Sequence, residues 1–305
     1  MIKFIIRRLI LLIPVLVGVS VIAFLMLHLA PGDPAELLAG LEASAEDVAA
    51  LRVRFGLDKP LFIQYFMFLK GLFDGSLISL KYEMPAASVI IPRIFNTLKL
   101  ACASIVVAVA VGTVAGILSA VRRHSIVDYL STTMALLGVS MPVFWWGLVL
   151  IMIFSVYLMW LPSGGMGGLR YLVLPAIVLG TSSAGVIARM TRSSMMDILR
   201  QDYITTAKSK GLPSRIVIYR HALRNALIPT VTVVGLEFGY MLAGAVLTET
   251  VFSWPGVGRL IVDSIMARDY PVVQASLLLV AGLFVLVNLG VDVLYAFLDP
   301  RIRYD

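Results

Sequence analysis

Three polar side chains lie at depths where a membrane-crossing helix is normally apolar. Glu237 is about two turns into an apolar run, and Asn288 and Asp292 are one turn apart in the last third of another. Such groups are expected to face a pathway, relay protons or hydrogen-bond inside a bundle. Glu237 ranks first as a pathway residue, because Asp292 is near enough to a helix end to reach the interface or to serve a structural hydrogen bond. Ser182 and Ser183, between Gly180 and Gly185, offer hydroxyl nucleophiles. The histidines are His28, His124 and His221, each near a membrane face or in a polar interval, so no base accompanies those serines. The chain has no Gly-x-x-x-x-Gly-Lys-Ser/Thr loop to cradle nucleotide phosphates and no His-Glu-x-x-His zinc pattern. Its one cysteine, Cys102, lies inside an apolar run and forms no disulfide framework. No catalytic residue, cofactor site or metal site is therefore expected. Taken alone, Glu237 allows a self-contained proton-coupled carrier, although the inverted repeats of many such carriers are not visible.

A second group of residues lies in the basic interval 189–229, which holds eight of the chain's 25 Lys and Arg. Met195, Met196, Leu199, Tyr203 and Ala207 recur at three-to-four spacing and predict one helix face. Lys208 and Lys210 follow in its last turn, where cations suit the helix dipole, and Gly211 is a natural residue just past the end. Pro213 blocks continuation and Ser214 is placed to cap a second helix with Ile216, Tyr219, Leu223 and Leu227 on its apolar face. The expected shape is helix, turn, helix, lying beside a membrane. Arg220 and Arg224 sit four residues apart with His221 beside them, and like charges at that spacing repel by a few tenths of a kcal/mol. Ordinary cytoplasmic charge touching anionic lipid is one explanation; a docking element for an acidic groove is the other.

The elements that must position these residues are membrane spans. The chain has 305 residues, 60% of them hydrophobic and 14% charged, with a mean hydropathy of +0.95. Residues 1–30 read as an N-terminal span rather than a signal peptide, because the apolar run is long and no small-x-small cleavage site follows. Residues 31–95 open on the turn Pro31-Gly32-Asp33-Pro34 and hold eight of the 18 acidic residues. Short helices broken at Gly56 and Pro60 are expected there, with Tyr65, Phe66, Leu69 and Phe73 on the apolar side, as a surface-lying or partner-contacting subdomain. Further spans are expected at Leu98–Val121, Tyr129–Leu161 (kinked at Met141-Pro142), Tyr171–Ala188, Thr230–Val251 and Val272–Leu298. Gly112 with Gly116, and Gly180 with Gly185, suit close helix packing. The outer loop 252–270 carries the turn Trp254–Gly258, then a short helix with Leu260, Ile261, Ile265 and Met266 apolar.

The net charge of +7 is distributed as in a membrane protein, not a nucleic-acid binder. With the N-terminus in the cytoplasm, that side holds 15 Lys and Arg, against three in the two short opposite loops. The consistent solution is an all-α membrane protein of about six spans, with both termini cytoplasmic. Its parts are the N-terminal span 1–30, an extracytoplasmic subdomain 31–95, a five-helix core 96–298 and a tail 299–305.

Nearly end to end, the chain resembles the first permease subunit of bacterial peptide-type ABC importers (the dipeptide, oligopeptide, glutathione and nickel group). The resemblance rests on Pro31-Gly-Asp-Pro34, Thr191-Arg-Ser-Ser194, Asp202-Tyr203, Thr206-Ala-Lys-Ser-Lys-Gly211, His221-Ala-Leu-Arg-Asn-Ala226, Phe252-Ser-Trp-Pro-Gly-Val-Gly-Arg259, Arg268-Asp-Tyr-Pro271 and Leu298-Asp-Pro-Arg-Ile-Arg-Tyr304, in that order. Thr205 and Thr206 stand where the family's general cytoplasmic loop has Glu and Ala, a departure shared by the peptide group. The resemblance implies a type I permease fold in the bacterial inner membrane, a second permease as heterodimer partner, two cytoplasmic ATPase subunits and an external substrate-binding protein. It implies no enzyme activity. The interval 189–229 becomes a region coupled to the ATPase, with Tyr203, Thr206, Ala207, Lys208, Gly211, Arg220, His221 and Arg224 as its expected contacts. Peptides are the implied substrate class, and the lack of an intramembrane His or Cys cluster disfavours nickel.

Overall fold

The computed structural model describes residues 2–29, 33–39, 43–54 and 56–298. The Pro31-Gly32 part of the first turn and the tail 299–305, with Arg301 and Arg303, lie outside the described residues. In chain order the helices are α1 (Ile2–Leu29), α2 (Pro34–Ala39), α3 (Ala45–Arg54), α4 (Leu61–Asp74), α5 (Ala86–Val121), α6 (Ile126–Ser140), α7 (Val143–Leu150), α8 (Arg170–Leu199), α9 (Asp202–Ser209), α10 (Ser214–Ile216), α11 (Leu223–Val251), α12 (Val257–Met266) and α13 (Tyr270–Leu298). Wider π-helical turns follow α7 over Ile151–Tyr157 and join α10 to α11 over Val217–Ala222. Among the described residues, five helices are long and apolar enough to cross a membrane, or six if the pair α6 and α7 is one broken span. That pair bends by 107° at Met141-Pro142, far more than the kink expected there. Proline at 142 lacks the N–H that would continue α6, and Met141 before it is held extended.

The chain forms two compact units. One comprises residues 97–255 and 287–298 of the described chain and is organised around α8. The apolar window of α8 is 61% buried, against 17–39% for the other four single-helix spans, so α8 is the central helix. Small residues allow that position. A Cβ on Gly112 of α5 would stand 2.7 Å from the Ala184 carbonyl oxygen, and one on Gly116 2.6 Å from that of Ala188. On α8 itself, a Cβ on Gly180 would approach the Ser104 carbonyl oxygen of α5, and one on Gly185 would collide with the Ala135 carbonyl of α6. Lipid supplies no hydrophobic drive between helices, so this dispersion-rich close approach holds the bundle.

The central helix is also longer than its predicted span. α8 runs unbroken from Arg170 to Leu199, past Arg189 and Arg192, and takes Met195, Met196 and Leu199 with it. The single helix face predicted from Met195 to Ala207 is instead divided at Arg200 and Gln201, with Tyr203 and Ala207 on the separate helix α9. Similarly, Ser214 is the first residue of its helix, with Pro213 at the cap position and no side-chain cap. From Ser214 the chain continues as one run to Val251, so the second elbow helix and the fifth span are continuous.

The other unit holds residues 2–96 and 256–286. Its α4 packs on α1 through Phe24 and Phe68, with Leu278 of α13 in the same cluster, a Ser20–Tyr65 hydroxyl pair at 2.7 Å and His28 Nε2 at 3.0 Å from Gln64 Oε1. The buried face of α4 is Gln64, Phe68 and Gly71, flanked by Tyr65 and Leu69; Phe66 and Phe73, expected on that side, are exposed. In α12 the buried stripe is Val257, Leu260 and Ser264, while Ile265 and Met266 are exposed, contrary to expectation. Both errors come from choosing the stripe by hydrophobicity alone, when Gln64 and Tyr65 are held by hydrogen bonds on α4 and the small Ser264, not Ile265, is buried on α12. Gly185→Ala should destabilise the detergent-solubilised chain by roughly 1–3 kcal/mol through overpacking. Gly244→Ala, where nothing lies within 4 Å, should be neutral or stabilise by up to about 1 kcal/mol, as read by thermal unfolding.

Candidate coupling and pathway sites

The elbow between α8 and α11 is built outward from a small apolar core. Met195, Ile204, Ala207, Val217, Ala222 and Ala226 are buried together, with Ala120 of α5. α9 begins after an extended Gln201 with Asp202 in its first turn, a favourable place for an anion. It ends in a Schellman motif: Gly211 N–H donates to Lys208 O at 2.9 Å, and Leu212 N–H to Ala207 O at 3.4 Å. Gly211 has φ +77°, a left-handed conformation that glycine adopts without Cβ strain. Asn225 Nδ2 donates to Tyr203 Oη at 2.9 Å and ties α9 to α11.

Of the residues expected to make contacts here, Tyr203, Thr206, Lys208, Gly211, Arg220 and Arg224 are exposed, and His221 is half-buried. Ala207 is 7% exposed and belongs to the elbow's own core. Leu212, Ile216 and Tyr219 are exposed apolar neighbours that complete the outer surface. Arg220 and His221 lie in the π-helical turn, whose i→i+5 bonding puts more residues in each turn and so alters the four-residue stacking on which the expected repulsion between Arg220 and Arg224 rested.

Below the elbow lies an ion pair that charge counting did not single out. Asp128 of α6 accepts from Arg192 Nε at 2.9 Å and Nη2 at 3.0 Å, from the His124 N–H at 3.0 Å, and from the Ser119 hydroxyl. Ser119 in turn accepts from Arg192 Nε at 2.8 Å. The cluster joins α5, α6 and α8, and explains how Arg192 sits in a helix that continues into lipid: its charge is paired and hydrogen-bonded. A sequence signal existed, since Ser125-Ile-Val-Asp128 has capping-box spacing, and the Asp128 N–H does donate to Ser125 Oγ at 3.3 Å.

Two further acids were missed. Glu249 is fully buried in α11 and accepts from Thr97 Oγ1 of α5 at 2.6 Å. In the second unit, buried Asp269 accepts from the Ser79 hydroxyl and from the N–H groups of Leu80 (3.1 Å) and Lys81 (3.3 Å), anchoring the loop closed by the Ile78–Pro85 bridge. The predicted pathway residues are arranged differently. Glu237 is half-buried on α11, and Asn288 and Asp292 are half-buried on α13. The two helices approach where Gly235 meets Val291, so these polar groups lie on adjacent helices, within a turn of that contact.

Solved structures share this fold. The inward-facing MetNI methionine ABC transporter aligns with 70% of this chain and 98% of its own at a TM-score of 0.61 and 18% identity. An amino acid ABC transporter aligns with 71% and 95% at 0.52 and 15%. The fold is that of a type I ABC importer permease. Residues 112–304 match the family model described as binding-protein-dependent transport system inner membrane component, and residues 1–95 match the model for the N-terminal part of such components. The chain belongs to this family: it is a multi-pass permease subunit of a bacterial inner-membrane importer, a transport component and not an enzyme. Its systems include an ATPase and a substrate-binding protein. This replaces the proton-coupled carrier built on Glu237. Among curated relatives, the dipeptide transport system permease protein DppB of Alkalihalophilus pseudofirmus is 45% identical over 333 aligned residues, and the glutathione transport system permease protein GsiC of Escherichia coli is 47% identical over 305, each alignment covering 100% of both chains.

Arg192→Leu should destabilise the chain by about 3 kcal/mol, because it strands a buried carboxylate. Combining it with Asp128→Leu should cost less than the sum of the two single changes. A double-mutant cycle on thermal unfolding checks this, and strict additivity would show the pair to be uncoupled.

Proposed function

We propose that this chain forms half of the translocation pathway for di- or oligopeptides, or glutathione-like peptides, delivered by an external binding protein. The substrate class comes from the names of full-length relatives at 45 and 47% identity. In this reading the other half is a second, different permease, and two ATPase subunits sit on the cytoplasmic side with both termini of this chain. Residues 31–95 form an extracytoplasmic subdomain, 96–298 the permease core, and 252–270 an outer loop; Glu237, Asn288 and Asp292 line the path.

Force enters through the elbow within 189–229. The observation carrying this is the construction of the elbow: a buried apolar core inside, and outside an exposed surface of Tyr203, Thr206, Lys208, Leu212, Ile216, Tyr219, Arg220 and Arg224. Aromatic and arginine side chains in that combination suit a protein groove with acidic rims. Because α9 is bonded to α11 through Tyr203 and Asn225, and α8 and α11 enter one core, a push on α9 tilts both spans as a body.

Gly211→Val places a β-branched residue at φ +77°, a conformation such residues resist. In the reconstituted transporter with its ATPase and binding-protein partners, Gly211→Val should keep ATP hydrolysis but lose most peptide uptake. Gly211→Asn, which tolerates the left-handed conformation, should keep both. Normal uptake by the valine variant defeats the lever; coupled transport of a non-peptide substrate defeats the substrate assignment and leaves the lever intact.

A further inference from the structure

Two adjoining hollows form one groove between α5, α6 and α8, and neither the coupling elbow nor the proposed path uses it. The inner hollow, about 440 Å³, is apolar, with Val111, Met134, Leu137, Met141 and Trp146 in its walls. The outer hollow, about 260 Å³, is polar, with Arg189, Ser193 and Asp197 among its lining residues. Ala115, Ser131, Ala135 and Ala188 belong to the walls of both. The small residues that let the helices approach elsewhere leave this side open, and Met134 and Leu137 remain exposed along it.

The dimensions and charge order match a phospholipid. From Ser131 to Met141 the apolar part follows ten residues of α6, about 15 Å, which is half of the ~30 Å hydrocarbon thickness and so the depth of one leaflet. Arg189, Ser193 and Asp197 follow at four-residue steps along α8 and form one stripe in the polar hollow. Arg189 and Asp197 are both exposed, and among the described residues neither has a hydrogen-bond or ion-pair partner. Arg192 is different, since Asp128 and Ser119 already hold it. Along the helix axis Asp197 lies about 12 Å beyond Arg189, towards the elbow and away from the apolar hollow. A free cation therefore lies at the apolar boundary and a free anion further out. In a zwitterionic phospholipid the phosphate is joined to the glycerol and the ammonium lies beyond it, which is the complementary order. An anionic headgroup would meet Arg189 favourably but Asp197 unfavourably.

We propose that this groove seats one zwitterionic phospholipid, with an acyl chain in the apolar hollow, the phosphate on Arg189 and the ammonium on Asp197. The inference needs only the membrane-embedded chain and holds whatever the transported substrate is. The test uses the full chain in its assembled transporter, equilibrated with mixed micelles of equal phosphatidylethanolamine and phosphatidylglycerol, with retained lipid counted by native mass spectrometry. One ethanolamine lipid should be retained per chain, at least tenfold over glycerol lipid. Arg189→Gln should lower that retention about tenfold; its side chain is exposed and bonds to no described residue, so the lipid-free chain should unfold at an unchanged temperature. Asp197→Asn should remove the headgroup preference while retaining lipid, and Met134→Trp should block the apolar hollow. Equal retention of both lipids, unchanged retention by Arg189→Gln, or a groove empty of lipid because a partner permease's helix fills it would each overturn the proposal.

Discussion

Helices in a bilayer are not driven together by escape from water, because the surrounding lipid is as apolar as they are. What holds this bundle is the close approach of backbones at glycine. Gly112, Gly116, Gly180 and Gly185 put α5 and α6 directly against α8, at places where a single methyl group would meet a carbonyl oxygen. Contacts of that kind have no slack. They make α8 a stiff central member, and because α8 runs unbroken to Leu199, its stiffness extends into the elbow.

Buried polar groups then fix positions that packing alone would leave free. An unsatisfied donor or acceptor in hydrocarbon costs several kcal/mol, so each buried acid here joins segments distant in sequence. Asp128 meets Arg192 and Ser119, Glu249 meets Thr97, and Asp269 holds the loop at residues 79–81. The first of these lies next to the elbow core, since Ser119 adjoins Ala120 and Arg192 is one turn before Met195. The tie between α6 and α8 is therefore close to where force is expected to enter.

The elbow itself shows how local chemistry and tertiary contact divide the work. Its turn is local: Gly211 takes the left-handed conformation, the Schellman bonds close over it, and Pro213 restarts the chain. Its rigidity is not local, because it needs Ala120 from another helix and the Tyr203–Asn225 bond across 22 residues. The exposed outer face consists of what that core leaves over. The same logic opens the groove along α5, α6 and α8, where three helices touch through small side chains and diverge elsewhere.

By itself the sequence determined the existence of the spans, the place of the bend at Met141-Pro142 though not its sharpness, the glycine faces, the Gly211 turn and the family. All of these depend on short-range patterns: apolar length, the missing N–H of proline, the missing Cβ of glycine, and ordered short phrases. What the sequence misplaced were rotations and joins. The end of α8, the continuity of the second elbow helix with α11, and the buried faces of α4 and α12 all depend on which neighbour each helix meets. Only the tertiary structure decided the buried acids, because a carboxylate's place in a membrane protein is set by the donor opposite it, and Arg192, Thr97 and Ser79 are 64, 152 and 190 residues from theirs.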